Sequence, residues 1–423
     1  VSDAILDELT WRGLISQSTD PDALRAAMKA GPITYYCGFD PTAQSLHVGN
    51  LVQLLTMRRL QQGGHRPIAL VGGATGLIGD PKPTAERTLN APEVVRGWVE
   101  RIRGQIERYL VFDGPQAAVM VNNLDWTAPL SAVDFLRDIG KHFRVNRMLA
   151  KEAVSARLNS DAGISYTEFS YQILQAMDFL ELYGRHGCIL QLGGSDQWGN
   201  FTAGIDLVHR ETGQSVHALA TPLITKADGT KFGKTESGTV WLDPKLTSPY
   251  AFHQFWLRAD DRDVVGYLRV FTERTREEIA ALEQATLERP AAREAQRVLA
   301  DDLTTLVHGP AETERAKAAA TALFGRSALE DLDLATLEAA LAETPRLEVG
   351  PGPLPPIAQL MADVGLVDSR SAARRTIKEG GAYLNNRKVA DEAAAPSEDD
   401  LLHGRFLVLR RGRQHVAGVV RTA

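Results

Sequence analysis

The feature that most restricts the fold is a repeated order of strand, sharp turn and helix. Ile33 to Phe39 is β-branched and aromatic, and Asp40-Pro41-Thr42 breaks it as a turn. From Leu46 the apolar positions Leu46, Val48, Leu51, Val52, Leu54, Leu55 and Leu60 recur at helical spacing up to Gly63-Gly64. Ile189 to Leu192 repeats the order, running into GGSDQWGN (Gly193 to Asn200) and then a helix from about Phe201. Between them PIALVGG, Pro67 to Gly73, is an uninterrupted apolar run, as a strand buried on both faces of a parallel sheet should be. Strand, helix and strand in this order make a right-handed crossover, and ligands of such sheets sit beyond the carboxyl ends of the strands. The fold class is therefore α/β.

This spacing puts His47 and Gly49 in the first turn of a helix that follows a strand. Unpaired N–H groups and the positive end of the helix dipole favour phosphate oxygens there, and Gly49 has no side chain to hold a nucleotide away. Farther on, Tyr171, Gln175 and Asp178 are spaced four and three apart, on one stripe of a helix from Ser165 to Tyr183. Asp178 lies among Ala176, Met177, Phe179 and Leu180, where a carboxylate needs a partner. Leu136 to Leu158 reads as a basic helix with Lys141, Arg144, Arg147, Lys151 and Arg157. The glycine-dense Gly72 to Pro81 is either a tight loop with Asp80 capping a turn, or a place where Gly72 and Gly73 admit substrate and Asp80 meets an ammonium group. KADGTKFGKTESG, Lys226 to Gly238, reads as a flexible surface loop.

At 423 residues the chain has room for two or three domains. Its two cysteines, Cys37 and Cys188, are too few for a disulfide framework or a four-ligand zinc site, which points to a reducing cytoplasm. We expect no leader and no membrane span. Ser248 to about Ala342 is helical in pattern, Pro345 to Pro356 reads as a Pro- and Gly-rich linker, and a small module follows. That module carries eleven Lys and Arg against eight Asp and Glu in a chain of net charge −6. A locally basic tail on an acidic body suits selective RNA contact rather than general nucleic-acid coating.

The stretch YCGFDPTAQSLHVGN, Tyr36 to Asn50, resembles the nucleotide-binding signature of class I aminoacyl-tRNA synthetases, in its wording that of the bacterial tyrosyl-tRNA synthetases. KFGKT, Lys231 to Thr235, resembles the second signature of that family and comes in the expected order. The resemblance implies a Rossmann-like catalytic domain over residues 1–246, an α-helical anticodon-side domain over 247–344, a linker over 345–356 and a small α+β RNA-binding domain over 357–423. It implies ATP as substrate with Mg2+ as companion, L-tyrosine, tRNA(Tyr), and a homodimer in the cytoplasm. ATP is given to Gly38, Asp40, His47, Gly49, Asn50, Gly194, Asp196, Lys231 and Lys234. Asn50 stands where the signature usually has histidine, and it can still donate to a ribose oxygen. Thr42, His47, Lys231, Lys234 and Arg87 stabilise the triphosphate, with Lys82 in the same differently spaced loop. Tyr36 and Asp178 pair the phenol hydroxyl of tyrosine, Tyr171, Gln175 and Asp80 hold its ammonium group, and Gln197 meets its carboxyl group. Arg144, on the basic helix near the subunit interface, and Arg374, Arg375, Lys378, Arg387 and Lys388 of the last module are assigned to RNA.

The implied chemistry is attack of the tyrosine carboxylate on the α-phosphate of ATP, then transfer of tyrosyl to the 3′ end of tRNA. A carboxylate is already nucleophilic, so no Ser-His-Asp or Cys-His set is required. Two rivals are a tryptophanyl-type enzyme, disfavoured because indole has no hydroxyl for Tyr36 and Asp178, and a non-catalytic RNA-binding relative, disfavoured by the intact HVG and KFGKT.

Overall fold

The parallel sheet is present in a computed structural model, which describes residues 3–81, 89–159, 161, 163–230, 232–235, 238–325, 327–412 and 415–422. Two compact units divide the chain, Val1–Leu242 with Val265–Ala280, and Asp243–Val264 with Ala281–Ala423. In the first, β1 (Gln17–Ser18), β2 (Thr34–Phe39), β3 (Arg66–Val71), β4 (Val119–Asn122), β5 (Cys188–Gly194) and β6 (His217–Thr221) form a sheet in the order β1-β6-β5-β2-β3-β4. All neighbours are parallel except β1, which runs antiparallel to β6. Tyr36 in β2 stands opposite Ile68 of β3 and Gln191 of β5. After β2 the chain builds outward through β3 and β4 on one side, then through β5 and β6 on the other. The crevice of such a sheet opens at the carboxyl ends of the two strands where the direction reverses, here β2 and β5.

The pattern did not reveal β6. Its HALAT is short and poor in β-branched residues, yet it is buried throughout, so tertiary packing rather than propensity makes it a strand. The single basic helix expected over residues 136–158 is also corrected. That segment is a wide turn at Phe135–Ile139, a 3-10 turn at Gly140–His142 and two short helices, Val145–Leu149 and Glu152–Leu158. Arg144 and Lys151 take extended backbone (ψ 119° and 138°), which interrupts the hydrogen-bond ladder before each short helix.

The Val48–Gln62 helix is buried on almost every side, and Arg59 within it is only 3% exposed. Its guanidinium donates to the carbonyls of Val270 (2.8 Å) and Thr272 (2.7 Å), while Arg12 donates to those of Arg269, Thr272 and Arg274. These carbonyls lie at and just past the end of the Asp261–Phe271 helix, where the helical ladder runs out of N–H donors.

The second unit opens with the Pro249–Leu257, Glu294–His308, Pro310–Leu323 and Leu334–Ala342 helices. After the two-stranded ribbon β7 (Lys234–Thr235) and β8 (Gly238–Thr239) of the first unit, the remaining strands are β9 (Arg346–Val349), β10 (Ala382–Leu384), β11 (Arg387–Lys388), β12 (Phe406–Arg411) and β13 (His415–Arg421). They form a sheet in the order β11-β10-β12-β13-β9. β9 falls inside the stretch read as a linker and pairs in parallel with β13. β10 and β11 form a hairpin, turned at Asn385 and Asn386 with φ of 45° and 64°, a conformation that Asn tolerates.

Replacing Arg59 by Met strands the Val270 carbonyl in a buried place and leaves that of Thr272 to Arg12 alone. Stability should fall by about 2–4 kcal/mol, read from the urea midpoint, whereas Arg58→Met should stay within about 0.5 kcal/mol.

Candidate active site

Asp40, Gly72–Thr75, Asn122–Trp126 and Gly194–Gln197 follow the carboxyl ends of β2, β3, β4 and β5, so the sheet itself gathers them. His47 is the N-cap of the Val48–Gln62 helix rather than part of its first turn. Its Nδ1 accepts from the Gly49 N–H (3.0 Å), and Asn50 Oδ1 accepts from the His47 N–H (3.0 Å). Burial, with Lys234 nearby as the second cause, holds the His47 ring below its usual pKa. A neutral ring whose Nδ1 accepts carries its proton on Nε2, which leaves that nitrogen as a donor. The absence of a side chain at Gly49 serves this histidine first, because a Cβ there would lie 2.7 Å from His47 Cε1.

The second signature lies against the first. Gly233 has φ of +75°, and a Cβ on it would come 2.8 Å from Val48 Cγ2. The Val48 N–H donates to Val240 O (3.1 Å), the Leu242 N–H to Leu46 O (2.9 Å), and the His47 ring meets Trp241 edge-on. Exposed Lys234 is thereby brought to the His47 side of the crevice. Lys82, Arg87 and Lys231 lie outside the described residues.

Behind the helix start, Asp40 accepts from Tyr171 Oη (2.7 Å) and Thr75 Oγ1 (2.6 Å). A Cβ on Gly72 would fall 2.1 Å from Asp40 Oδ1, and one on Gly73 2.3 Å from Asn122 Oδ1. The room left by these two glycines is thus taken by the protein's own polar side chains, which corrects the expectation that substrate enters there. Gly38, Thr42 and Asp196 are exposed, and a Cβ on Gly194 would lie 2.6 Å from Asp196 Oδ1. Thr42 follows Asp40 in a tight turn in which its N–H donates to the Asp40 carbonyl (2.8 Å).

Asp178 is 2% exposed, and its partners come from the chain itself. Its carboxylate accepts from Asn123 Nδ2 (3.0 Å) and Trp126 Nε1 (2.9 Å). Burial outweighs these donors and pushes the carboxyl group up to about 7. Beside it the hydroxyl of Tyr36 is buried with no hydrogen-bond partner, and burial followed by the charge of Asp178 raises its pKa well above the ordinary value. Gln175 Oε1 on the same helix stripe is buried and unpartnered too. Gln197 donates to Asp80 Oδ2 (2.8 Å). The sequence reading missed Asn123 and Trp126, although they follow a strand whose carboxyl end faces the crevice, and that position was the available signal.

Arg144 is exposed and lines a cleft of about 280 Å³ with His142, Arg147, Lys151 and Arg210. Arg374, Arg375 and Lys378 are exposed on the Arg370–Lys378 helix. Arg387 donates to Glu330 (3.0 Å), and the end of the Lys388 side chain lies over Gly380. Arg374, Arg375, Lys378, Arg387 and Lys388 belong to the second unit, and Arg144 to the first, whose sheet gathers the nucleotide-side and Asp178-side groups at its carboxyl edge.

The model of tRNA synthetases class I (W and Y) matches residues 28–325, and that of the tyrosine-tRNA ligase SYY-like C-terminal domain matches 336–417. The chain is 67% identical to the tyrosine-tRNA ligase of Streptomyces coelicolor, over 98% of this chain and 98% of that protein. It is 62% identical to that of Acidothermus cellulolyticus, over 99% of each. Among solved structures it is similar to a C-terminally truncated mitochondrial tyrosyl-tRNA synthetase of Aspergillus nidulans, with TM-score 0.67 and 28% identity over 74% of this chain and 92% of that one. A tryptophanyl-tRNA synthetase of Encephalitozoon cuniculi bound to tryptophan shares the fold alone, with TM-score 0.58 and 13% identity over 74% of this chain and 91% of that one.

Gly49→Ala would drive a methyl into the imidazole and break the Nδ1 cap. The expected loss is about 1 kcal/mol of stability, measured by denaturant unfolding.

Proposed function

The chain belongs to the class I tRNA synthetases of the tryptophan and tyrosine type, and on that premise we propose that it activates L-tyrosine with ATP and transfers it to the 3′ end of tRNA(Tyr). The observation that carries the choice of tyrosine is the buried, unpartnered Tyr36 hydroxyl beside the Asp178 carboxylate. A phenol answers both, since its hydroxyl accepts from Tyr36 and donates to Asp178. An indole has no hydroxyl, so it leaves Tyr36 unmet.

In the first step the tyrosine carboxylate attacks the α-phosphorus, the bond to the bridging oxygen breaks, and pyrophosphate leaves. The protein's share is alignment and stabilisation of charge on the phosphate oxygens. The Nε2–H of neutral His47, the Lys234 ammonium and the Thr42 hydroxyl approach from two chain segments pressed together at Val48 and Gly233. Lys231 and Arg87 complete the set of cations, and Gly38, Gly194 and Asp196 serve the nucleoside. Asp80, Tyr171 and Gln175 receive the ammonium group, while Gln197 orients the carboxylate. Among the described residues no group of three or more His, Cys, Asp or Glu side chains could hold a metal ion. Magnesium enters with ATP, as the companion of its phosphates. In the second step a terminal ribose hydroxyl of tRNA attacks the adenylate carbonyl and AMP departs.

Support for a homodimer comes from exposed apolar side chains at Val133, Leu136, Val145 and Leu158, joined by Tyr166. Support for RNA contact comes from exposed Arg144, Arg374, Arg375 and Lys378. We place the reaction in the cytoplasm, in keeping with two cysteines that are both free and buried.

Pyrophosphate exchange with each amino acid tests the reading, with tyrosine expected to be the substrate. Asp178 must be ionised to accept the phenol. As pH falls below about 7, kcat/KM for tyrosine should therefore drop by about tenfold per unit, while the KM for ATP holds. A profile flat from pH 8 to 5 would remove Asp178 from that role. Tyr36→Phe should weaken the preference for tyrosine over phenylalanine, because a site built to pair a hydroxyl rejects the analogue lacking it, as is known for tyrosine-specific synthetases. Arg374→Glu with Arg375→Glu should raise the KM for tRNA by about tenfold and flatten its salt dependence, leaving tyrosine exchange unchanged. Equal effects on exchange and charging would refute the RNA role.

A further inference from the structure

We propose that Lys151 and Asn200 are positioning residues that set the direction in which the Gln197 amide faces, and through it the state of Asp80. Lys151 Nζ donates to Asn200 Oδ1, Asn200 Nδ2 donates to Gln197 Oε1 (2.8 Å), and Gln197 Nε2 donates to Asp80 Oδ2 (2.8 Å). The two ends of this chain are chemically one-sided. An ammonium group only donates and a carboxylate only accepts, whereas each amide between them has one face of each kind. Only one orientation of both amides makes all three bonds. Reversing either one sets oxygen against oxygen or nitrogen against nitrogen.

Two further observations show that the arrangement is built in. Asn200 is 5% exposed, so a misdirected amide there has little water to turn to. The lysine stem crosses Gly199, where a Cβ would lie 3.1 Å from Lys151 Cε. Burial pushes the Lys151 ammonium down to about 8, and the charge of Asp80 works against that push, so the two ends sense each other. Sequence reading had placed Lys151 among the charges of a basic helix and gave Asn200 no part.

The inference rests on the reading that Asp80 holds the tyrosine ammonium group. Asn200→Asp keeps an acceptor for Lys151 but removes the donor to Gln197. With an acceptor on each side, the Gln197 amide is no longer held in one direction, and its nitrogen is divided between residue 200 and Asp80. In pyrophosphate exchange the KM for tyrosine should rise by about tenfold, the effect of losing one hydrogen bond to a charged group. The KM for ATP and the melting midpoint should stay close to those of the parent. Lys151→Met should move the tyrosine KM the same way, and Lys151→Arg, which keeps a donor, should restore it. An unchanged tyrosine KM in Asn200→Asp overturns the proposal, as does a joint rise of both KM values with a lowered midpoint. Asp80→Asn separates the two levels. If it raises the tyrosine KM while Asn200→Asp does not, the positioning chain alone fails. If it does not, the ammonium reading fails and this proposal with it.

Discussion

Two carboxylates share one hydrogen-bonded network behind the crevice, and the arrangement of the first unit follows from keeping both satisfied. Tyr171 and Thr75 donate to Asp40, Asn123 donates to both Thr75 and Asp178, and Trp126 donates to Asp178. Burial first, and then the charge of Asp40, raise the pKa of Asp178. A buried network of this kind is stable when each member finds its partner and expensive when one does not. This explains why three successive strand ends, those of β2, β3 and β4, send polar residues to the same place. It also explains why the unpartnered Tyr36 hydroxyl stands out, since Asp178 beside it is tied to Asn123 and Trp126 and it is not.

What the sequence made legible follows the same logic. β2, β3 and β5 are buried on both faces, and burial of that kind leaves an apolar run that can be read without coordinates. His47 was recognisable as a helix-start residue, but its role as cap depends on backbone angles (φ −121°, ψ 171°) that spacing does not encode. Gly72 and Gly73 show the limit most clearly. A glycine reports that something approaches the backbone, and it does not say whether that something is ligand or a side chain from another strand end. Here it is Asp40, Thr75 and Asn122. Asn123 and Trp126 escaped notice because only their place after a strand marks them, and their meaning comes from Asp178, more than fifty residues away in the chain.

The second unit repeats the lesson with a different physical cause. Proline and glycine at residues 350–356 mark irregular backbone, but they do not decide whether a core continues on either side. Phe406, Val408, Val416 and Val420 pack with Leu337 and Leu341 of the preceding helices, while Leu407, Leu409, Ala417 and Val419 pack with Leu360 and Ile377 of the following ones. The period of two along β12 and β13 thus serves two apolar layers at once. A sheet covered on both faces holds the exposed Arg374, Arg375 and Lys378 on a fixed support, in contrast to a module swinging on a tether.

In the proposed reaction the nucleophile is a carboxylate and needs no base, so the groups assigned to the phosphates only have to present positive charge and N–H bonds in fixed places. A protonated His47 beside Lys234 would add repulsion between cations, and burial prevents that by keeping the imidazole neutral. The Gly49 N–H then settles which nitrogen carries the proton, since it donates to Nδ1 and leaves Nε2 to donate outward. One backbone bond at a helix start therefore fixes the tautomer, and the close approach of Gly233 to Val48 fixes where the cation meets it.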